Sequence, residues 1–169
     1  EIYPGRLSLK CVMERIERLY FPFHSALTAL IEETEARFGF AVLIDCHSMP
    51  SSAAVASGGT RPDIVIGDRF GASCDPQLAR AVRDAFLRAG YDVQMNRPYA
   101  GGYITEHHGK PTRGIHALQV EINRGLYLDE RRLVPNSGFD GLKSDLEAIF
   151  QTIISRAHGM FGGYRAAAE

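Results

Sequence analysis

The sequence predicts an α/β fold, and three patterns along the chain support that prediction. Two apolar, β-favouring runs, Phe40–Asp45 and His116–Ile122, each end in charged or polar residues. Stretches with a helical apolar period precede the first run and follow the second. A further amphipathic stretch, Asp75–Gly90, connects two shorter strand candidates. Helices and strands that alternate along one chain are typical of α/β proteins.

The first helical segment covers much of the N-terminal 39 residues and is expected to be interrupted. Ser8 is suited to cap its start, and Gly39 should end it. Pro22 should kink the segment or split it into two helices near residues 18–21, because proline lacks a backbone N–H and crowds the preceding turn. The apolar period that predicts this segment is carried by Val12, Ile16, Leu19, Phe23, Leu27, Leu30 and Ile31.

The middle of the chain predicts a strand, a helix and a strand in succession. Asp63–Gly67 is a short apolar run, and Tyr91–Met95 is another. Between them, Asp75 is suited to cap a helix whose first position is Pro76, and Gly90 should end that helix. Two strands joined through a helix favour a right-handed parallel crossover.

Two loops and a last helix complete the predicted order. Residues 49–61 and 96–114 lack periodicity and are predicted to be long loops, which in compact domains are often functional. The last helix should end near Gly159, and the tail from residue 162 to residue 169 should fray. The apolar positions that predict this helix are Leu142, Leu146, Ile149, Phe150 and Ile153.

Composition limits the class of partner. The 169 residues are 45% hydrophobic, which is enough for one compact domain with a core. A net charge of −1, from 19 basic and 20 acidic residues, provides no positive field for nucleic acid or an anionic membrane. No apolar run approaches the roughly 20 residues that span a bilayer. Cys11, Cys46 and Cys74 lack the spacing of a zinc knuckle or disulfide frame, and indicate reduced thiols in a cytoplasmic protein.

Reactive side chains stand where the two longer strands end. Because side chains alternate along a strand, Asp45 and His47 share one face, and Gln119, Glu121 and Asn123 share another. Ligands in α/β sheets gather at the carboxyl ends of strands. A His and a Glu that reach one cleft are the ligand and the base that a metal-assisted hydrolase needs. Asp45 could orient the imidazole from behind.

Each of these residues also has a simpler interpretation. His47 could cap the end of its strand by hydrogen bonding alone. Glu121 could form an ion pair with Arg124 or another arginine, because a carboxylate within an apolar strand needs a partner. Ser48 beside Asp45 and His47 imitates a catalytic triad in sequence only, since neighbours on one strand point in opposite directions.

A second candidate region is the loop Asn96–Tyr103. Its Arg97 has the planar fork that clamps a carboxylate, and Gly101–Gly102 would let the backbone approach a ligand closely. The competing interpretation is a turn-rich loop with a surface arginine. His107 and His108 follow as a weak metal-like pair, for which a polar loop is the better interpretation.

Taken together, four strings resemble the N-formylglutamate amidohydrolase (N-formylglutamate deformylase) family. The strings occur in the family's order, and the likeness extends from about residue 7 to residue 159. They are Asp45–Pro50 (DCHSMP), Pro62–Gly71 (PDIVIGDRFG), Asn96–Thr105 (NRPYAGGYIT) and His116–Arg124 (HALQVEINR).

The resemblance implies a three-layer α/β/α fold with a mixed, mostly parallel sheet, of the phosphorylase/hydrolase-like, zinc-carboxypeptidase-like kind. It implies metal-assisted cleavage of the formamide of N-formyl-L-glutamate, or of a related N-acyl acidic amino acid, to give formate and glutamate. His47 would be a ligand of Zn²⁺ or another divalent metal, and Glu121 the general base and acid. The residues expected to hold the substrate carboxylates are Arg97, Asn96 and Tyr99, with Asn123 and Arg69.

The sequence departs from the family pattern at one place. Family members carry an additional N-terminal region with a Pro-His-Ser-Gly-like segment, which resembles the remaining metal ligands. The chain opens on Glu1–Gly5 without a start methionine, so we expect the single domain of residues 1–169 to lack that segment. Two alternatives remain open: a desuccinylase- or carboxypeptidase-like relative with another acyl substrate, and a non-catalytic small-molecule-binding module.

Overall fold

The computed structural model describes residues 3–52 and 62–162. Within these ranges, helices and strands alternate in an α/β order. The helices are α1 (Leu9–Arg15), α2 (Phe21–Phe38), α3 (Pro76–Arg88), α4 (Tyr103–His108) and α5 (Phe139–Phe161). The strands are β1 (Ala41–Met49), β2 (Ile64–Gly67), β3 (Val93–Met95), β4 (Ile115–Asn123), β5 (Leu128–Asp129) and β6 (Val134–Pro135). A π-helical turn and two 3₁₀ turns complete the list: Ile16–Tyr20, Pro111–Arg113 and Arg124–Leu126.

The main sheet has the strand order β1-β4-β2-β3. Strands β1 and β4 are parallel along their whole length, from Ala41 opposite Ile115 to Met49 opposite Asn123. Strand β2 is antiparallel to β4 and parallel to β3. The predicted α/β class with a mixed, mostly parallel sheet is therefore confirmed. The short pair β5–β6 forms a separate antiparallel ribbon.

The N-terminal helices α1 and α2 are separated just before Pro22, where the sequence predicts a break. The Ser8 hydroxyl accepts a hydrogen bond from the backbone N–H of Cys11 and so caps α1. A π-helical turn precedes Pro22, and the Phe21 N–H bonds to the carbonyl of Ile16, five residues back. A proline crowds the turn before it, which favours such a shift in the helical ladder. Gly39 ends α2 with a left-handed φ of 80°.

Helices α3 and α5 cover one face of the sheet. The Asp75 carboxylate caps α3 by accepting from the N–H groups of Gln77 and Leu78, as predicted. Alternate residues of β1 and β4 point toward these helices and form the larger core with them. Its fully buried members include Ile64, Ile66, Leu78, Val82, Phe86, Leu118 and Val120.

The opposite face of the sheet packs against α2 and α4. Ile31 of α2 lies against Ala41 and Ile115 in a second, smaller core. Helix α4 packs over β4, with Thr105 fully buried. The sheet is therefore covered by helices on both faces, and the polar ends of β1 and β4 continue the face that α2 and α4 occupy.

Several boundaries differ from the sequence prediction; β3, for example, begins at Val93 and not at Tyr91. Residues 96–114 were predicted as loop, but they contain α4 and a 3₁₀ turn. A six-residue helix is too short to show an apolar period, which explains the error. Strand β1 extends to Met49, and α5 continues through Gly159 to Phe161. The rest of the predicted loop, residues 53–61, and nearly all of the tail, residues 163–169, lie outside the described residues.

None of the helices in residues 3–52 and 62–162 is both long and apolar enough to cross a bilayer.

Candidate active site

The parallel pairing of β1 with β4 brings the two predicted sets of polar residues to one face of the sheet. In the register, His47 lies opposite Glu121, and Asp45 lies opposite Gln119. Paired residues of neighbouring strands point to the same side. His47 Nε2 is 3.0 Å from Asp45 Oδ2, and His47 Nδ1 is 3.7 Å from Glu121 Oε1. An imidazole between two carboxylates is thus the centre of this site.

Gln119 extends this arrangement toward the glycine-rich loop. Its side-chain nitrogen donates to Glu121 Oε1 at 2.8 Å, and its side-chain oxygen accepts from the Gly102 N–H at 2.7 Å. Sequence reasoning placed Gln119 on the correct face but gave it no role. The sequence does indicate a role for Gln119, because an amide inside an apolar strand needs hydrogen-bond partners for both of its polar atoms.

Glu121 lies in an environment that raises its affinity for a proton. The residue is buried, with 6% of its whole surface exposed. Burial raises the pKa of the Glu121 carboxyl above its usual range, while the nearby His47 and the hydrogen bond from Gln119 oppose that increase. A carboxyl with a raised pKa can accept and return a proton more readily near neutral pH.

The Asp68–Phe70 turn uses the polar atoms of Asn96. The side-chain nitrogen of Asn96 donates to Asp68 Oδ1 at 2.7 Å. Its oxygen accepts from the backbone N–H groups of Asp68 and Phe70. Asn96, Arg69 and Phe70 all have φ values between 55° and 60°, a region that few side chains adopt. Asn96 therefore stabilises a strained turn after β2.

Arg69 and Asn123 also hold backbone. Arg69 donates to the Gly101 carbonyl at 3.2 Å and forms an ion pair with Glu106 at 3.0 Å. Asn123 donates to the Pro62 carbonyl and accepts from the Gly125 N–H. Both side chains thus hold neighbouring backbone segments in place.

Arg97 and Tyr99 lie in the turn after β3, where Arg97 is exposed and Tyr99 is partly buried. Strands β2 and β3 run opposite to β4, so the end of β2 at Gly67 lies beside Gln119 and not beside the end of β4. The carboxyl ends of β2 and β3 therefore do not lie at the edge where β1 and β4 end. The loop returns to the site through Gly102, which contacts Gln119.

Arg124 contacts Ser48 at the end of β1. Its Nε donates to the Ser48 hydroxyl at 3.1 Å, and its Nη2 donates to the Ser48 carbonyl at 3.3 Å. The simple interpretation of Glu121 as the ion-pair partner of Arg124 is therefore not the arrangement found, because the hydrogen bonds of this guanidinium are made to Ser48.

The described residues do not complete a metal site. Among residues 3–52 and 62–162, no group of three or more His, Cys, Asp or Glu side chains is arranged to hold a metal ion. A catalytic zinc usually has about three protein ligands. The contact of Asp45 with His47 Nε2 leaves Nδ1 on the side of Glu121. The described part of the chain thus offers one ligand candidate and no full set.

The His107–His108 pair belongs to the packing of α2 against α4. The His108 ring lies 6.0 Å from that of His24 and 4.8 Å from that of His107. The Tyr103 ring stacks on His107 at 5.0 Å. This cluster is separate from the His47–Glu121 pair and is mostly aromatic.

An apolar cavity of about 360 Å³ opens beside His47 and Ser48, below the first half of α5. Only Lys143 and Glu147 add charged side chains to the wall that α5 contributes. The other residues lining it are Ile122, Tyr127, Phe139, Leu142, Leu146 and Phe150. Such a wall suits hydrocarbon, and it contrasts with the polar face that carries Glu121.

Comparison with known proteins identifies similar sequences. The family model for N-formylglutamate amidohydrolase matches residues 1–128. The N-formylglutamate deformylase of Pseudomonas putida is 36% identical over 116 residues, covering 68% of this chain and 43% of that protein. The enzyme of the same name from Pseudomonas aeruginosa is 35% identical over 120 residues, covering 70% of this chain and 45% of that protein.

Solved structures give the same result. The crystal structure of N-formylglutamate amidohydrolase from Ralstonia eutropha superposes with a TM-score of 0.83 at 34% identity, covering 92% of this chain and 56% of that one. A gene product of Agrobacterium tumefaciens superposes with a TM-score of 0.65 at 22% identity, covering 89% and 56%, and supports the fold alone.

The sequence and the α/β fold of this chain thus match a family of amidohydrolases. The chain belongs to the N-formylglutamate amidohydrolase family. It spans less than half the length of the two curated relatives that it matches.

Proposed function

We propose that this chain carries part or all of an active site that hydrolyses the formamide bond of N-formyl-L-glutamate or of a closely related N-acyl acidic amino acid. The observation that carries the proposal is the contact of His47 with Asp45 and Glu121 on one face of the sheet. The relatives named for this activity support the choice of substrate.

In this proposal Glu121 is the base and then the acid. Its carboxylate takes a proton from a water molecule as the water oxygen bonds to the formyl carbon. The same carboxyl then returns the proton to the amide nitrogen as the carbon–nitrogen bond breaks, which yields formate and glutamate. Burial raises the pKa of Glu121, which favours a group that must both accept and return a proton.

We assign the binding of the substrate carboxylates to Arg97 and Tyr99. Their side chains are not among those described above as holding the loops by hydrogen bonds. The polar atoms of Asn96, Asn123 and Arg69 already hold backbone or a neighbouring side chain. These three residues would therefore contribute by fixing the shape of the pocket. An exposed guanidinium at Arg97 can bind a carboxylate with two parallel hydrogen bonds.

A divalent metal such as Zn²⁺ is also part of the proposal, with His47 as one ligand and the site plan of a zinc-carboxypeptidase-like fold. Asp45 beside Nε2 would fix the ring and leave Nδ1 as the ligand nitrogen, as second carboxylates do behind many metal-bound histidines. Because the described residues offer no full ligand set, no catalytic step is derived through a metal.

The test is formate release from N-formyl-L-glutamate by the purified chain, combined with elemental analysis of wild type and His47→Ala. The proposal expects formate release, with about one zinc per chain that is lost in the variant. Formate release without bound metal would support the proposed hydrolysis and would contradict the proposed role of a metal. Metal without release, together with cleavage of another N-acyl amino acid, would point to the desuccinylase- or carboxypeptidase-like alternative.

Absence of both activity and metal in the wild-type chain would favour the binding-module alternative. Calorimetric titration with N-formyl-L-glutamate then decides whether the pocket is retained. The exposed Glu33 of α2 offers a control, because Glu33→Gln should leave formate release and metal content at their wild-type values.

A further inference from the structure

We propose that Gln119 is a positioning residue that links the Gly101–Gly102 turn to the carboxylate of Glu121. The inference rests on the proposed function, because it assigns Glu121 the role of base. It adds a residue that holds the base in place and connects it to the loop expected to contact substrate.

The hydrogen bonds fix which way the Gln119 amide points. The Gly102 backbone N–H can only donate, so the group that faces it must be the side-chain oxygen of Gln119. The side-chain nitrogen therefore faces Glu121 and donates to its Oε1 at 2.8 Å. Gln119 is 5% exposed, so water competes little with either bond.

Both described contacts to Glu121 fall on the same oxygen. Gln119 donates to Oε1, and His47 Nδ1 is 3.7 Å from Oε1. We assign proton transfer to the other oxygen, Oε2. Gln119 would thus fix the plane of the carboxylate and so decide where Oε2 points.

The loop end of this link is also held closely. A Cβ on Gly67 would lie 2.5 Å from the backbone nitrogen of Gly101, so the loop backbone rests directly on β2. The Thr105 hydroxyl donates to the Gly102 carbonyl at 2.7 Å. Gln119 would therefore be the direct link by which a displacement of the loop reaches Glu121.

Two substitutions of Gln119 distinguish its hydrogen bond to Gly102 from its hydrogen bond to Glu121. Gln119→Met removes both hydrogen bonds at nearly constant length. Gln119→Glu keeps an acceptor for Gly102 but replaces the amide donor to Glu121 with a second carboxyl group, which must repel Glu121 or share a proton with it. Gln151→Met and Gln151→Glu make the same chemical changes at an exposed position of α5 and serve as controls. The measurements are kcat and KM for formate release, and hydrogen exchange of the Gly102 amide.

Both Gln119 variants should lose about tenfold to a hundredfold in kcat, because a small displacement of a reacting group can cost that much. KM should stay within about twofold of wild type. The Gly102 amide should exchange faster in Gln119→Met and remain protected in Gln119→Glu. A wild-type kcat in Gln119→Glu would overturn the inference, since Gln119 would then only brace the loop.

A separate measurement keeps the inference testable if wild type releases no formate, which would refute the proposed function. A hydrogen bond to a carboxylate should shift one side-chain amide proton of Gln119 downfield in the NMR spectrum. That shift should disappear in Glu121→Met. No downfield proton in the wild-type spectrum would overturn the link between Gln119 and Glu121.

Discussion

At the scale of single residues, three polar side chains share a small space at the candidate site. His47 lies between Asp45 and Glu121, and the two carboxylates act on different ring nitrogens. Nearly half of the His47 side chain is exposed, at 45%, whereas the Glu121 side chain is 8% exposed. Solvent and ligands therefore reach the imidazole easily, while the carboxylate behind it stays in a drier environment that strengthens its interactions.

Glu121→Gln should remove turnover while the chain stays folded. The amide keeps the shape of the carboxyl group but cannot accept a proton, so kcat for formate release should fall by at least about a hundredfold. Metal content and the thermal unfolding midpoint should match wild type, and both are measured in parallel. A variant that retains more than half of the wild-type turnover would exclude Glu121 as the base.

Arg97→Ala should weaken substrate binding with little effect on the chemical step. The exposed guanidinium is the positive charge proposed for a substrate carboxylate, and its loss should raise KM about tenfold, the cost of one charge-assisted hydrogen bond. Steady-state kinetics compare this variant with Arg80→Ala, which removes an exposed arginine from α3. An unchanged KM would remove Arg97 from the carboxylate site.

At the scale of elements, the position of the glycine-rich loop depends on close packing of its backbone against the backbone at the end of β2. Gly67 ends β2, and the Ala100–Gly101 peptide lies so close that a side chain has no room there. This contact brings Gly102 over β4, where it meets Gln119. The packing of one glycine thus helps to position a loop that starts 29 residues later in the sequence.

Gly67→Ala should destabilise the fold. Its new Cβ would lie 2.5 Å from Gly101 N and 2.6 Å from the Ala100 carbonyl carbon, so one backbone segment must shift. We expect the free energy of unfolding in urea to fall by about 2–3 kcal/mol. Gly141→Ala is the matched control in α5, because a Cβ there meets nothing within 4 Å.

The control should gain about 0.5–1 kcal/mol, because alanine is the better helix former. Equal urea midpoints for Gly67→Ala and wild type would show that the loop tolerates displacement, and would contradict the close packing of β2 against it.

Some elements could be predicted from local patterns, and others could not. Asp75 with Pro76, and Gly39 after an amphipathic run, specify helix ends through their own chemistry, and both are found. Helix α4 was missed because its six residues are too few to show a period. The direction of β2 could not be predicted either, since no local residue encodes which neighbour a strand will pair with.

At the scale of the whole molecule, the sheet determines which of the predicted site residues can act together. His47 and Glu121 could be predicted as a pair because each stands near the end of an apolar strand. Asn96 and Asn123 could not be assigned reliably, because their hydrogen bonds go to backbone that only the folded chain brings near. The same holds for Gln119, whose two partners come from different elements.

The buried histidines should make stability depend on pH. Burial lowers the pKa of His108, and the neighbouring His107, His24 and Lys110 lower it further. Burial also lowers the pKa of His116. The neutral form is therefore favoured in the folded state. The stability present above the unfolded pKa, about 6.5, is lost as the pH falls through the lower folded value.

Urea unfolding at pH 7.5 and pH 5.5 tests this dependence. The wild-type free energy of unfolding should be lower at pH 5.5, and His108→Gln should reduce the difference between the two pH values. His158→Gln, which removes an exposed histidine of α5, should leave that difference unchanged. An equal difference in wild type and His108→Gln would assign the pH dependence to other groups.

The parallel pairing of β1 with β4 determines when the site can form as the chain folds. His47 and Glu121 lie 74 positions apart in sequence, yet they are direct neighbours across the two strands. A contact between residues so far apart in sequence requires closure of a large loop, which costs conformational entropy before the contact stabilises the chain. Such contacts therefore form together with the overall topology and not from local structure. No fragment that contains only one of the two strands can hold this pair. A partly folded chain in which the strands are still separate likewise lacks the contact between His47 and Glu121.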